Sequence, residues 1–206
     1  LRTVPLPEGL PAPVERFYRT VYGDEVPVIE TAVLKGVGWI APFGVRMPAR
    51  FLFVHEAGKG YRHYIEATWF GLPIMKVNER YVDGRSLFEI PVVGTLDNDA
   101  RTNQGANLAL WAEGGWFPAI WITDPRARWQ AVDNHTAILF VPYEHGEENF
   151  VVRFHPRTGR VARVARRPWD ARRKFRRHRL AYDDGAGLPQ AGQAHRIAGR
   201  PVPRVD

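Results

Sequence analysis

Residues 103–121 read NQGANLALWAEGGWFPAIW. The remaining hydrophobic pattern is mostly strand-like. This stretch alone combines length with helical periodicity, and it carries three of the seven tryptophans, Trp111, Trp116 and Trp121. Leu108, Trp111 and Ala112 fall at i, i+3 and i+4, which lays one apolar stripe along a helix. Asp97-Asn98-Asp99 offers side chains to cap its start, and Gly114-Gly115 supplies the stop. Residues 116–121 then read as a second short turn ended by Asp124-Pro125. One helix cannot bury that much aromatic surface, so the flanking strands are expected to form a concave sheet that receives it.

Those strands show a period of two. Met47, Phe51, Phe53 and His55 share one parity, as do Tyr61, His63, Ile65 and Trp69, and then Met75, Val77, Glu79 and Tyr81. Residues 57–60, 71–73 and the pair Asp83-Gly84 provide turns, the last a strong hairpin signal. A strand over 28–40 precedes this set, with Gly36 and Gly38 suggesting a bulge or bend, and a fifth strand covers 86–95. Strands over 128–132, 135–143, 148–155 and 160–165 follow the helix. Residues 14–22 fit a short helix with Pro13 in its first turn, behind an extended lead-in containing Pro5, Pro7, Pro11 and Pro13. The expected fold is α+β and mainly β. A curved antiparallel sheet or incomplete barrel of eight or nine strands would wrap around one main helix.

Charge divides the chain. Residues 157–206 hold 14 Arg and Lys against four Asp, a net +10, so the first 156 residues carry −3 of the overall +7. We therefore expect a folded domain over 1–166 and an Arg-rich extension over 167–206. The arginines between Arg166 and Arg179 suit an acidic membrane surface, with no specific nucleic acid implied. The absence of cysteine excludes disulfides and thiolate ligands.

Several blocks carry a family resemblance: Leu10-Pro11, Pro13-Val14 and Arg16-Phe17-Tyr18; Arg80-Tyr81-Val82-Asp83-Gly84; Asn103-Gln104-Gly105; Trp111-Ala112-Glu113 with Trp116-Phe117-Pro118; and Trp129 with Ala131-Val132-Asp133. Over residues 10–165 the pattern resembles a bacterial family known only as a domain of unknown function. The resemblance implies an incomplete antiparallel barrel around helices, similar to periplasmic lipoprotein carriers. It favours an extracytoplasmic or membrane-associated location and implies no particular activity.

The inner face therefore gives the candidate site: Phe51, Phe53, His55, His63, Trp69, Met75, Glu79 and Tyr81, faced by Trp111 and Trp116 of the helix. If Phe53 opposes His63, then His55 and His63 are diagonal neighbours about 7–8 Å apart at Cα. Glu79 facing inward needs a His, Arg or Tyr partner. The leading expectation is a pocket for an apolar or lipid-like molecule, with these polar groups at its mouth and no cofactor. The alternative is hydrolase-type acid–base chemistry by His55, His63 and Glu79. Glu144-His145-Gly146-Glu147-Glu148 reads as a solvated turn, and no nucleophile elbow, Walker loop or dinucleotide fingerprint occurs.

Overall fold

A computed structural model of the chain describes residues 1–41, 44–90, 94–97 and 99–166, with the side chains at 90 and 95–97 left aside. The arginines from Arg167 to Arg179, Trp169 and Asn98 lie outside the described residues. The chain runs β1 (Thr3–Pro5), α1 (Ala12–Tyr22), β2 (Glu25–Pro27) and β3 (Thr31–Ile40). A meander follows: β4 (Met47–Glu56), β5 (Gly60–Trp69), β6 (Leu72–Val82), β7 (Arg85–Ile90) and β8 (Gly94–Asp97). Next come α2 (Ala100–Glu113), a 3-10 turn (Gly114–Trp116) and α3 (Ile120–Thr123). The chain closes with β9 (Arg128–Asp133), β10 (Thr136–Tyr143), β11 (Gly146–Phe154) and β12 (Val161–Arg166).

The result is α+β and mainly β, with antiparallel sheets of two, six and four strands. There are more strands than the expected eight or nine for two physical reasons, and they do not form one sheet. The proline-rich lead-in is not free: Val4 pairs with Val26, which makes β1–β2 a small sheet of its own. The run over 86–95 divides into β7 and β8. The strands after the helix form a separate sheet, ordered β12-β11-β10-β9. Gly36 and Gly38 also mark no bulge, since β3 and β4 pair without a register shift. Gly36 instead makes room for the opposite ring: a Cβ there would stand 2.5 Å from Phe51 Cζ.

The six-stranded meander places its inner residues in cross-strand rungs, because side chains alternate faces and the register is continuous there. His55, Tyr61 and Tyr81 form one rung, and Phe53, His63 and Glu79 the next. Phe51, Ile65 and Val77 follow, then Ala49, Ala67 and Met75. Asp83-Gly84 turns with φ of 50° and 76°, the left-handed pair that two-residue hairpins require.

Helix α2 lies between the two larger sheets. Asp99 caps α2 by accepting from the backbone N–H groups of Arg101 and Thr102. The buried stripe is Ala106, Asn107, Leu110 and Trp111, rotated from the expected one; Leu108 and Ala112 lie only at the core's margin. The rotation follows from having two sheets to face. Asn107 Nδ2 donates to Pro142 O on β10 (3.1 Å), and Asn103 Oδ1 accepts from Ser86 N and Oγ on β7 (2.8 Å each). Helix α1 buries Val14, Phe17 and Tyr18 in the same core against the four-stranded sheet, with Phe17 and Phe154 ring centroids 5.8 Å apart.

Tyr18 Oη donates 2.6 Å to the Pro118 carbonyl in a fully buried setting. Tyr18→Phe leaves that carbonyl unpaired and should cost about 1–3 kcal/mol in denaturant unfolding. A loss below measurement would mean that water replaces the hydroxyl.

Candidate metal centre

Three polar side chains converge where the C-terminal end of α2 meets the inner face of the meander. His55 (β4) and His63 (β5) point inward by strand parity, and Glu113 is the last residue of α2. Their Nε2, Nε2 and Oε2 atoms form a nearly equilateral triangle. His63 Nε2 to Glu113 Oε2 is 3.1 Å, His55 Nε2 to Glu113 Oε2 is 3.3 Å, and the two Nε2 atoms are 3.4 Å apart. Glu113 Oε2 is buried and, despite these distances, makes no well-directed hydrogen bond. The same is true of His55 Nδ1, so the only polar outlet of that fully buried imidazole runs through Nε2 into the triangle.

A second layer flanks the first. Glu79 stands opposite His63 on β6, with Oε2 3.7 Å from His63 Nδ1. Tyr61 Oη donates 2.5 Å to Glu79 Oε1. Aromatic rings wall the cluster. Tyr61 stacks on His63 at 4.1 Å, Phe53 lies 4.0 Å from it on the other side, and Phe117 lies 5.2 Å from His55. Trp116 stacks on Phe53 at 6.0 Å. The carboxylate side is the open one: the Glu113 and Glu79 side chains remain 23% and 27% exposed.

This setting shifts every titratable member. Burial, with the neighbouring His63 charge, brings His55 down to about 4. Burial also opposes charge on His63, but the carboxylates of Glu113 and Glu79 outweigh it and raise the group. Burial raises Glu113 against the pull of His63. Glu79 is lowered, because His63 and the Tyr61 hydroxyl outweigh its own burial. Burial and the Glu79 charge hold Tyr61 well above the ordinary phenol range. The cluster thus combines a lowered and a raised imidazole with a raised and a lowered carboxyl group.

Of the residues expected from the sequence, His55, His63, Glu79 and Phe53 do come together, with Trp116 against them. Phe51 lies one step away, 4.8 Å from Phe53. Tyr81 is buried beside Tyr61 at 6.1 Å. Trp111 is buried in the core and accepts, through its backbone carbonyl, the Trp121 Nε1–H at 3.0 Å. Trp69 and Met75 sit towards the opposite end of the sheet, away from the cluster. The sequence reading missed Glu113 and Tyr61 as site residues. A signal for Glu113 was present: a carboxylate in the last turn of a helix opposes the helix dipole, which favours cations there.

Among the described residues, hollows are found at two places. One, about 420 Å³ and open, lies along α1 beside Glu15, Arg16 and Arg19. The other, about 290 Å³, is lined by Leu52, Val54, Arg62, Tyr64 and Arg80 together with His63 and Glu79 of the cluster.

Comparison with curated proteins and with solved structures finds no match. The pattern of one family does match residues 2–183, which spans the meander, the helices and the second sheet, and the chain thus belongs to the DUF6544 family, described as a family of unknown function.

Proposed function

We propose that His55, His63 and Glu113 bind one divalent transition-metal ion and that the centre supports metal-assisted hydrolysis. The carrying observation is the triangle of donor atoms with 3.1–3.4 Å edges. Donors about 2.05 Å from a tetrahedral ion stand about 3.3 Å apart, against about 3.0 Å for adjacent donors in an octahedral site, so the edges fit zinc better. Two imidazoles and one carboxylate form the donor set of many catalytic zinc sites, where a fourth position is left for water or substrate. The Glu79–His63 contact supplies the carboxylate that typically orients a ligating imidazole through its other nitrogen, and Tyr61 anchors Glu79 in turn. An ion held there would lower the pKa of a bound water and act as a Lewis acid on a carbonyl or phosphoryl oxygen.

Metal-depleted protein titrated with Zn²⁺ and Co²⁺ tests the reading. One ion per chain is expected, with the intense visible bands of four-coordinate cobalt. At 100 times Kd, binding stabilises the fold by about 2.7 kcal/mol, which raises Tm by about 5–11 °C for a chain of this size. Chelation should reverse the shift, and His55→Ala should remove it. Sub-stoichiometric binding with no change in Tm would overturn the assignment.

A second reading rests on the inner face beyond the cluster. Phe51, Ile65 and Met75 are half-buried and extend its aromatic wall away from α2. This lane supports binding or carriage of an apolar or lipid-like molecule. Displacement of a fluorescent fatty acid, weakened by Ile65→Asp, is the expected result; no uptake of the probe would remove the idea.

A further inference from the structure

The end of the meander farthest from α2 exposes large apolar side chains on both faces. Trp69 and Leu72 oppose each other at the last rung of the β5–β6 hairpin, and Phe70 forms its tip. Phe70 is 92% exposed, Leu72 69% and Trp69 51%. Ile74, beside the register shift in β6, is also exposed. On the other face of the sheet, Trp39 and Val37 near the end of β3 are exposed as well. Trp39 and Trp69 point to opposite faces by strand alternation, so one flat protein partner would cover only one of them.

The turn at this tip is chemically unusual. Phe70-Gly71 has φ of 48° and 82°, nearly the geometry of Asp83-Gly84 at the other end of β6. Left-handed φ is unfavourable for a bulky side chain and tolerated by Asp or Asn. The same hairpin problem is thus solved conventionally at residue 83, whereas residue 70 carries an aromatic ring held out in solvent.

Cations stand behind the apolar end. Residues 35–50 and 64–78 carry Lys35, Arg46, Arg50 and Lys76 against one carboxylate, Glu66. Arg46 lies over the Trp39 ring at 4.9 Å. Arg50, Glu66 and Lys76 share a rung three residues behind Trp69, or about 10 Å at strand rise. That spacing matches an interfacial arrangement in which apolar side chains dip about 5–10 Å into the acyl boundary and cations meet headgroups. Tryptophan is the residue type enriched at such boundaries.

We infer that this end of the sheet, with Phe70 at its tip, docks into the surface of a lipid bilayer containing anionic headgroups. The surface lies at the opposite end of the sheet from His55 and His63. The full chain should co-sediment with vesicles of phosphatidylcholine and phosphatidylglycerol, more weakly with phosphatidylcholine alone, and brominated acyl chains should quench its tryptophan fluorescence. Phe70→Asp should lower partitioning about tenfold or more, and Phe70→Asp/Leu72→Asp further. Phe70→Asp should leave Tm unchanged or higher, since Asp suits the turn, which separates lost docking from lost folding. Two outcomes overturn the inference. In one, the double variant partitions as the wild type does, placing attachment elsewhere on the chain. In the other, vesicles do not bind, and a concentration-dependent dimer disappears in the variant, which identifies a second copy as the occupant.

Discussion

Glu113→Gln should weaken Zn²⁺ binding by about 100-fold or more, nearly as much as His63→Ala, whereas Glu79→Gln should weaken it about 10–100-fold. The two glutamates are chemically alike and both flank His63, with oxygens at 3.1 Å and 3.7 Å. They approach different nitrogens. Glu113 meets Nε2 inside the triangle and would lose a charged ligand oxygen. Glu79 meets Nδ1 outside it and would lose only the partner that fixes the ring. A purely hydrogen-bonded cluster predicts no such order, because neither variant would change a metal affinity that did not exist. Isothermal titration of the three variants, with folding checked by circular dichroism, reads the difference. Equal effects at Glu79 and Glu113 would place the ion elsewhere in the cluster.

Strand alternation made most of this centre legible in the sequence. A period of two is fixed by backbone geometry, so His55, His63 and Glu79 could be assigned to one face together with Phe53; the Phe53–His63 pairing, conditional in the sequence, is what the register shows. The demand of an inward carboxylate for partners is met by Tyr61 and His63. Glu113 was not legible in this way. Its position depends on which face of α2 turns to the meander, and two sheets compete for that helix through Leu110, Trp111, Asn103 and Asn107. A single-sheet picture rotates the stripe onto Leu108 and Ala112 and turns Glu113 outward. The β1–β2 pairing was hidden for a similar reason: prolines mask strand periodicity, and Val4 meets Val26 only because α1 folds the chain back.

Trp111→Ala should be strongly destabilising, at about 3–5 kcal/mol, or a fall in Tm of roughly 6–20 °C. Trp111 is 1% exposed, in the same core cluster as Leu110, Trp121 and Leu139, so its removal opens a void between the two larger sheets. The backbone carbonyl that accepts from Trp121 Nε1 survives the change, so the loss measures packing rather than the hydrogen bond. Trp69→Ala is the internal control: its ring projects from the far hairpin, and its removal should stay within about 0.5 kcal/mol. The contrast also bears on the metal centre. Trp111 lies on the buried stripe of α2, two residues before Glu113, so a helix loosened by Trp111→Ala should lose metal affinity although no ligand has changed. Trp69→Ala should leave that affinity intact. Denaturant unfolding with and without Zn²⁺ separates the two effects: the Trp111 variant should show both lower stability and a smaller metal-induced gain. A Trp111 variant with undiminished gain would mean that the Glu113 end of the helix is held by the 3-10 turn and α3 alone.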